Sequence, residues 1–149
     1  TTPEGVVVYD DYAHHPTEVR ASLQGLREIF PEKDITVLFQ PHLYSRTKAL
    51  FEEFVTSFDG ANRVLLLPIY FAREAPDPTV SSQKLAEAIQ KHDLNSPSLS
   101  RKGENVAAFT DFASAETHVK GLNLGPNDLF VSMGAGESYK VAEKVFHFS

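Results

Sequence analysis

Residues Asp10-Asp11-Tyr12-Ala13-His14-His15-Pro16-Thr17-Glu18 crowd carboxylates, a phenol and two imidazoles into one short stretch. An apolar run, Val6-Val7-Val8, leads into it, and Pro16 opens a helical pattern behind it. The cluster therefore occupies a strand-to-helix turn. In an open α/β sheet such turns lie at the carboxyl ends of strands, where ligands bind. A carboxylate there can accept hydrogen bonds from ribose hydroxyls. The same residues also suit plain turn chemistry, since Asp bonds nearby backbone amides. His14 and His15 suit a helix cap and a packed ring, or a metal-ligand set with Asp10, Asp11 and His42. No helical H-x-x-x-H spacing and no cysteine pair supports the metal reading.

Two further clusters share this placement. Gln40-Pro41-His42-Leu43-Tyr44-Ser45-Arg46-Thr47 follows the apolar run Ile35–Phe39, and Gly134-Ala135-Gly136-Glu137-Ser138 follows Asp128–Ser132. Arg46 stands near a helix start, where a cation opposes the helix dipole unless an anion is bound. It reads either as a surface ion pair or as a grip on a carboxylate or phosphate. The glycine turn is either tight strand-to-helix geometry or a place where bare amides meet an anion. It is not G-x-G-x-x-G, because Tyr139 stands three residues after Gly136. The loop from Ile69 to Pro76 is a candidate wall or lid on the same edge.

The elements that must position these turns are legible from periodicity. Strands are predicted at Gly5–Asp10, Ile35–Phe39, Val64–Leu67, Val106–Phe109 and Asp128–Ser132. Helices are predicted at Pro16–Phe30, from Ser45 as a cap to about Phe58, from Ser81 or Ser82 through Ile89, from about Phe112 to Val119, and at Ser138–Phe146. Phe51, Phe54 and Phe58 form a core stripe. The stretch from Asp93 to Asn105 is a long polar connection. This alternation predicts an α/β three-layer sandwich with a mostly parallel sheet, a single domain over residues 1–149. Loops after parallel strands emerge on one edge, so the three clusters converge there. Polar residues are expected to thin out at the opposite edge.

With 149 residues the chain supports one domain with a proper core. Its formal charge of −6 argues against nucleic acid as a partner. No apolar run approaches the roughly 18 residues of a membrane span, and no signal peptide is visible. Zero cysteines fits a cytoplasmic protein. The chain opens at Thr1 and not at Met, as a piece of something longer would.

Taken together, the Asp10–Glu18 motif and Phe39-Gln40-Pro41-His42-x-Tyr44-Ser45-Arg46-Thr47 resemble the C-terminal domain of the Mur ligases. Leu67-Pro68-Ile69-Tyr70, the trailing Glu74-x-Pro76 and Met133-Gly134-Ala135-Gly136 follow in the family's order, so the resemblance covers nearly the whole chain. It implies a Rossmann-like domain of a three-domain enzyme of peptidoglycan synthesis. Such an enzyme uses ATP and Mg2+ to join L-alanine to UDP-N-acetylmuramate through an acyl phosphate. A related member attaches a tripeptide instead. The phosphate loop belongs to the family's central domain, and no G-x-x-x-x-G-K-[ST] occurs in this chain. The domain alone is expected to be inactive and to hold no catalytic residue or metal ligand of its own.

Position by position, the resemblance places Asp10 on the ATP ribose. Tyr12 and His14 line the cleft between nucleotide and amino acid. His42 and Arg46 hold the carboxylate of L-alanine, and the Gly134, Ala135 and Gly136 amides help fix it. Many relatives carry Arg after the His of Gln-Pro-His, whereas Leu43 stands here, one cation fewer. Two other readings stay open on the residues: a free-standing nucleotide- or amino-acid-binding module, and a metal hydrolase on His14, His15, His42 and Asp10.

Overall fold

The computed structural model describes residues 2–96 and 105–146. Five strands, β1 (Val7–Asp11), β2 (Asp34–Phe39), β3 (Arg63–Leu66), β4 (Val106–Ala108) and β5 (Asp128–Met133), form one sheet. Its order is β1-β5-β2-β3-β4, and every pairing is parallel. A parallel sheet is covered on both faces, which explains why β2, β3 and β5 read as nearly unbroken apolar runs. Side chains alternate along them. Ile35, Val37, Phe39, Val64, Leu66, Leu129, Val131 and Met133 pack on one face, and Leu38, Leu65, Leu67 and Phe130 on the other.

The helices are α1 (Pro16–Ile29), α2 (Tyr44–Ala49), α3 (Phe51–Ser57), α4 (Ser82–Leu94), α5 (Phe112–Gly121) and α6 (Tyr139–Val145). The first face is covered by α1, α3 and α4 and the second by α5 and α6. That division follows from right-handed crossovers. The connections β1→β2, β2→β3 and β3→β4 all advance one way across the sheet, so their helices share a face. The connection β4→β5 returns, which sends α5 to the other side. At the carboxyl edge the chain therefore leaves β5 toward one face and leaves its neighbours β1 and β2 toward the other. Crevices open beside β5, at the kind of switch point where α/β sheets bind ligands.

Several boundaries move from the sequence expectation. The helix expected from Ser45 to about Phe58 is two helices, broken at Leu50 (φ −108°, ψ 16°). Ser45 does not cap it; the chain enters α2 from Leu43, without a side-chain cap bond. Ser81 does cap α4, its hydroxyl accepting from the Lys84 amide, and Asp111 caps α5 in the same way through Ser114. Phe54 and Phe58 are fully buried against Phe39, so the stripe is core. Within the polar connection, residues 97–104 lie outside the described ones.

The opposite edge is not bare of polar groups, contrary to expectation. Asp34, Asn62, Arg63, Asn105 and Asp128 line a hollow of about 420 Å³ there. Polar groups serve the fold at both edges. At the amino edge they stitch elements together: Arg27 donates to Lys33 O (2.6 Å), Gly60 O (3.1 Å) and Asn62 Oδ1 (2.6 Å). Among the described residues no helix is long and apolar enough to cross a membrane.

Candidate functional site

The turn after β1 is tightly wired. Asp11 Oδ1 accepts from the Ala13 amide at 2.8 Å, which is turn chemistry. His15 caps α1, its Nδ1 accepting from the Thr17 amide at 3.2 Å. Glu18 Oε1 reaches back to the amides of His15 (3.1 Å) and His14 (3.3 Å) and completes a capping box. These bonds, the one from His15 first, hold the Glu18 carboxyl below its ordinary range. His14 Nδ1 faces only acceptors, Tyr12 O at 3.0 Å and Glu18 Oε1 at 3.6 Å. Nδ1 is therefore the donor toward both. With His15 spent on the cap, the free ring of this turn is His14.

The turn after β2 depends on one unusual backbone conformation. Leu43 adopts φ +70°, a region that side-chain-bearing residues seldom enter. Its amide donates to Tyr70 O at 2.6 Å, the Tyr70 amide donates to Pro41 O at 2.8 Å, and His42 and Tyr70 form a parallel bridge. The loop after β3 is thereby docked on the β2 turn as a wall. The His42 ring stacks on Tyr70 (centroids 5.3 Å, 13° between planes) and meets His14 edge-on at 6.1 Å. One helical turn later, Arg46 Nη1 lies 3.4 Å from His42 Nδ1. A guanidinium only donates, so His42 Nδ1 is the acceptor and its proton is on Nε2. Among the described residues no carboxylate lies within ion-pair distance of Arg46, and nothing accepts from His42 Nε2. The pair is a cation and an adjacent N–H donor without an anion. Nearby, Ser45 donates from its hydroxyl and its amide to Glu74, whose carboxyl is held below its usual range, first by the hydroxyl.

Burial first, then the charges of Arg46 and His14, push His42 below the ordinary imidazole value of 6.5, with Glu74 opposing. A depressed value means that the unfolded chain takes the proton first as pH falls. The His42 contribution to stability is therefore fully present above about pH 6.5 and lost as pH drops through the folded value. In an NMR titration His42 should titrate below that value, and Arg46→Ala should move it upward. Titration of His42 above 6.5 would contradict this geometry.

The third turn packs against the second. Gly134 (φ +137°) donates its amide to Asp11 O at 3.2 Å, and the Glu137 amide donates to Gln40 Oε1 at 2.9 Å. Among the described residues nothing accepts from the Ala135 or Gly136 amides. Of the sequence-predicted residues, the fold thus brings Tyr12, His14, His42 and Arg46 into one chain of contacts, Tyr12 and His14 meeting at 5.5 Å. Gly134, Ala135 and Gly136 adjoin them through Gln40.

Asp10 stands apart. It alternates with Asp11 along β1 and lies on the α6 side, accepting from Ser132 Oγ at 2.9 Å. There it lines a hollow of about 300 Å³ with Tyr9, Ser132, Tyr139 and Glu143. The four-residue metal set of Asp10, His14, His15 and His42 is consequently not assembled. Among the described residues no group of three His, Asp or Glu side chains is placed to hold a metal ion.

An apolar cavity of about 420 Å³ lies beyond the β3 loop, between Ile69, Pro76, Val80 and Phe109, and contains none of the nominated residues. The His42–Arg46 pair instead occupies an open shelf. Gln40 carries no individual role read from sequence, and Tyr70 and Glu74 only that of the Ile69–Pro76 wall or lid, yet all of them build this shelf. The signal for Gln40 was available: an amide at the end of a buried strand, just before proline, must find partners inside the fold.

Residues 1–136 match the family described as Mur ligase, glutamate ligase domain. The UDP-N-acetylmuramate–L-alanine ligase of Solidesulfovibrio magneticus is 45% identical over 138 residues, 93% of this chain and 28% of the relative. That of Desulfotalea psychrophila is 45% identical over 143 residues, 95% of this chain and 29% of the relative. The chain thus spans under a third of the length of these curated relatives. Among solved structures, the UDP-N-acetylmuramate–alanine ligase of Thermotoga maritima superposes with a TM-score of 0.64 at 24% identity, over 96% of this chain and 26% of that one. A murein peptide ligase from Psychrobacter arcticus gives 0.65 at 17% identity, over 95% and 27%. At these identities the two structures show a shared fold.

Proposed function

The chain belongs to the Mur ligase family, as its glutamate ligase domain, and from that premise we propose that it is the C-terminal domain of a cytoplasmic ligase that joins L-alanine to UDP-N-acetylmuramate in peptidoglycan synthesis. The observation that carries this reading is the Arg46–His42 pair. A guanidinium and a neighbouring N–H donor stand half-buried at a sheet switch point with no carboxylate of the described chain on them. An α-carboxylate fits that pair, because a guanidinium binds carboxylates through parallel hydrogen bonds. The names of the curated relatives support L-alanine as the amino acid.

In this reading Arg46 and His42 fix the carboxylate, and the Ala135 and Gly136 amides add donors across the crevice. The amine is then aimed away from the shelf, toward an acyl group held by a domain outside this chain. Holding it there converts a bimolecular attack into a nearly unimolecular one. Tyr12 and His14 close the side of the shelf nearest the nucleotide.

ATP supplies the phosphoryl group that activates the sugar carboxylate. The residues present fit its ribose at Asp10: Oδ1 accepts from Ser132 and Oδ2 remains for a hydroxyl, beside a hollow of about 300 Å³. The phosphates and Mg2+ belong, in this proposal, to the central domain. An open shelf is what a closing domain would present, since its other wall arrives with the partner domain and expels water. By itself the domain should ligate nothing.

An acceptor assay on the complete ligase tests the assignment. Labelled L-alanine should enter UDP-N-acetylmuramate in an ATP-dependent manner, and a tripeptide acceptor should not. Preferential use of the tripeptide would place the chain in the related murein peptide ligases instead.

A further inference from the structure

Gln40 immediately follows β2 and is 5% exposed. Its amide donates to Met133 O at 3.0 Å, and its Nε2 donates to Pro68 O at 3.2 Å. Its Oε1 accepts from the Glu137 amide at 2.9 Å. One side chain therefore joins the loops that leave β2, β3 and β5. The glycine turn is shaped around it. A Cβ on Gly136 would collide with Gln40 Oε1, and one on Gly134 would stand 2.8 Å from Gln40 O. The carbonyl held on the β3 side belongs to Pro68, two residues before the Tyr70 that bridges and stacks on His42.

We propose that Gln40 is a positioning residue for amino-acid binding. It clamps the β3 loop and the glycine turn to the end of β2, so that Tyr70 keeps the His42 ring beside Arg46 and the Ala135 and Gly136 amides face the same crevice. The inference rests on the reading of Arg46 and His42 as the carboxylate grip. Only an amide does this job. It offers a donor to a carbonyl and an acceptor to an N–H from one planar group. Glutamate keeps the acceptor but sets an oxygen against Pro68 O, releasing the β3 side alone.

The test uses the complete ligase with Gln40→Glu and Gly136→Ala, and Arg46→Ala as reference. Both clasp variants should raise the KM for L-alanine about 10-fold, with the KM values for ATP and UDP-N-acetylmuramate within about twofold. Because Gln40 acts through the grip, Gln40→Glu combined with Arg46→Ala should be no worse than Arg46→Ala alone by more than about twofold. A residue that only stabilises the fold would lower the melting temperature and leave the L-alanine KM of the surviving enzyme unchanged. That outcome, an equal rise in all three KM values, or failure of both variants to fold would overturn the proposal. A selective Arg46→Ala effect with flat clasp variants removes the clasp alone. An unaltered L-alanine KM in Arg46→Ala removes the grip reading and the clasp with it.

Discussion

Arg46→Ala in the complete ligase is expected to raise the KM for L-alanine about 30- to 140-fold while leaving the KM for UDP-N-acetylmuramate nearly unchanged. The magnitude follows from losing charge-assisted hydrogen bonds worth roughly 2–3 kcal/mol, at about 1.4 kcal/mol per tenfold. The selectivity follows from position. Arg46 is half-buried on the shelf after β2, among the described residues it has no acidic partner to release, and its one polar side-chain neighbour there is His42 at 3.4 Å. Fold stability should therefore change little, because no structural ion pair is broken. Arg46→Lys should fall between the two, since a point charge survives but the planar fork does not. Steady-state kinetics with each substrate varied in turn reads all of this. A loss confined to kcat would mean that Arg46 acts only in the transition state.

Gly134→Ala is expected to destabilise the domain by about 3 kcal/mol, read as a melting temperature lower by roughly 10 °C for a domain of this size. Two costs combine. At φ +137° an alanine is strained whatever space surrounds it, and its Cβ would stand 2.8 Å from the backbone oxygen of Gln40. Backbone cannot yield there as a flexible side chain can, because Gln40 is pinned by bonds to Met133, Pro68 and Glu137. Gly25 is the natural control. Nothing lies within 4 Å of a Cβ built on it, and it sits inside α1, so Gly25→Ala should be neutral or slightly stabilising. Equal melting temperatures for Gly134→Ala and the parent would show that the turn is not built as described.

These two residues also show what a sequence discloses and what it withholds. Strands β2 and β5 were readable within a residue, because burial on both faces leaves unbroken apolar runs. The position of β5 between β1 and β2 was not, since periodicity carries no information on strand order. The break at Leu50 was hidden for a related reason: the apolar stripe continues through Phe51 and Phe54, and the kink comes from how α2 enters after Leu43.

The site divides similarly. Motif spacing and placement after strands marked His42, Arg46 and the glycine turn as members of one edge, and the fold brings them there. Asp10 and Asp11 are adjacent in sequence, yet a strand's two-residue period turns them to opposite faces. That separation was implicit in Val6-Val7-Val8, whose outer valines pack with α5 and α6 and whose middle one packs with the α1 side. His15 is spent on a cap, a role usually taken by Ser, Thr, Asp or Asn. Gln40 is the clearest omission. Its importance lies in three partners distant in sequence, which only the tertiary structure brings to it.

The most direct test of the central claim is the position of L-alanine in a crystal structure of the complete ligase in its closed form. Its carboxylate should lie about 3 Å from the Arg46 guanidinium, with His42 Nε2 donating to one oxygen. The amine should point off the shelf toward the sugar carboxyl. An L-alanine carboxylate bound elsewhere, with Arg46 still unpaired, would contradict the account.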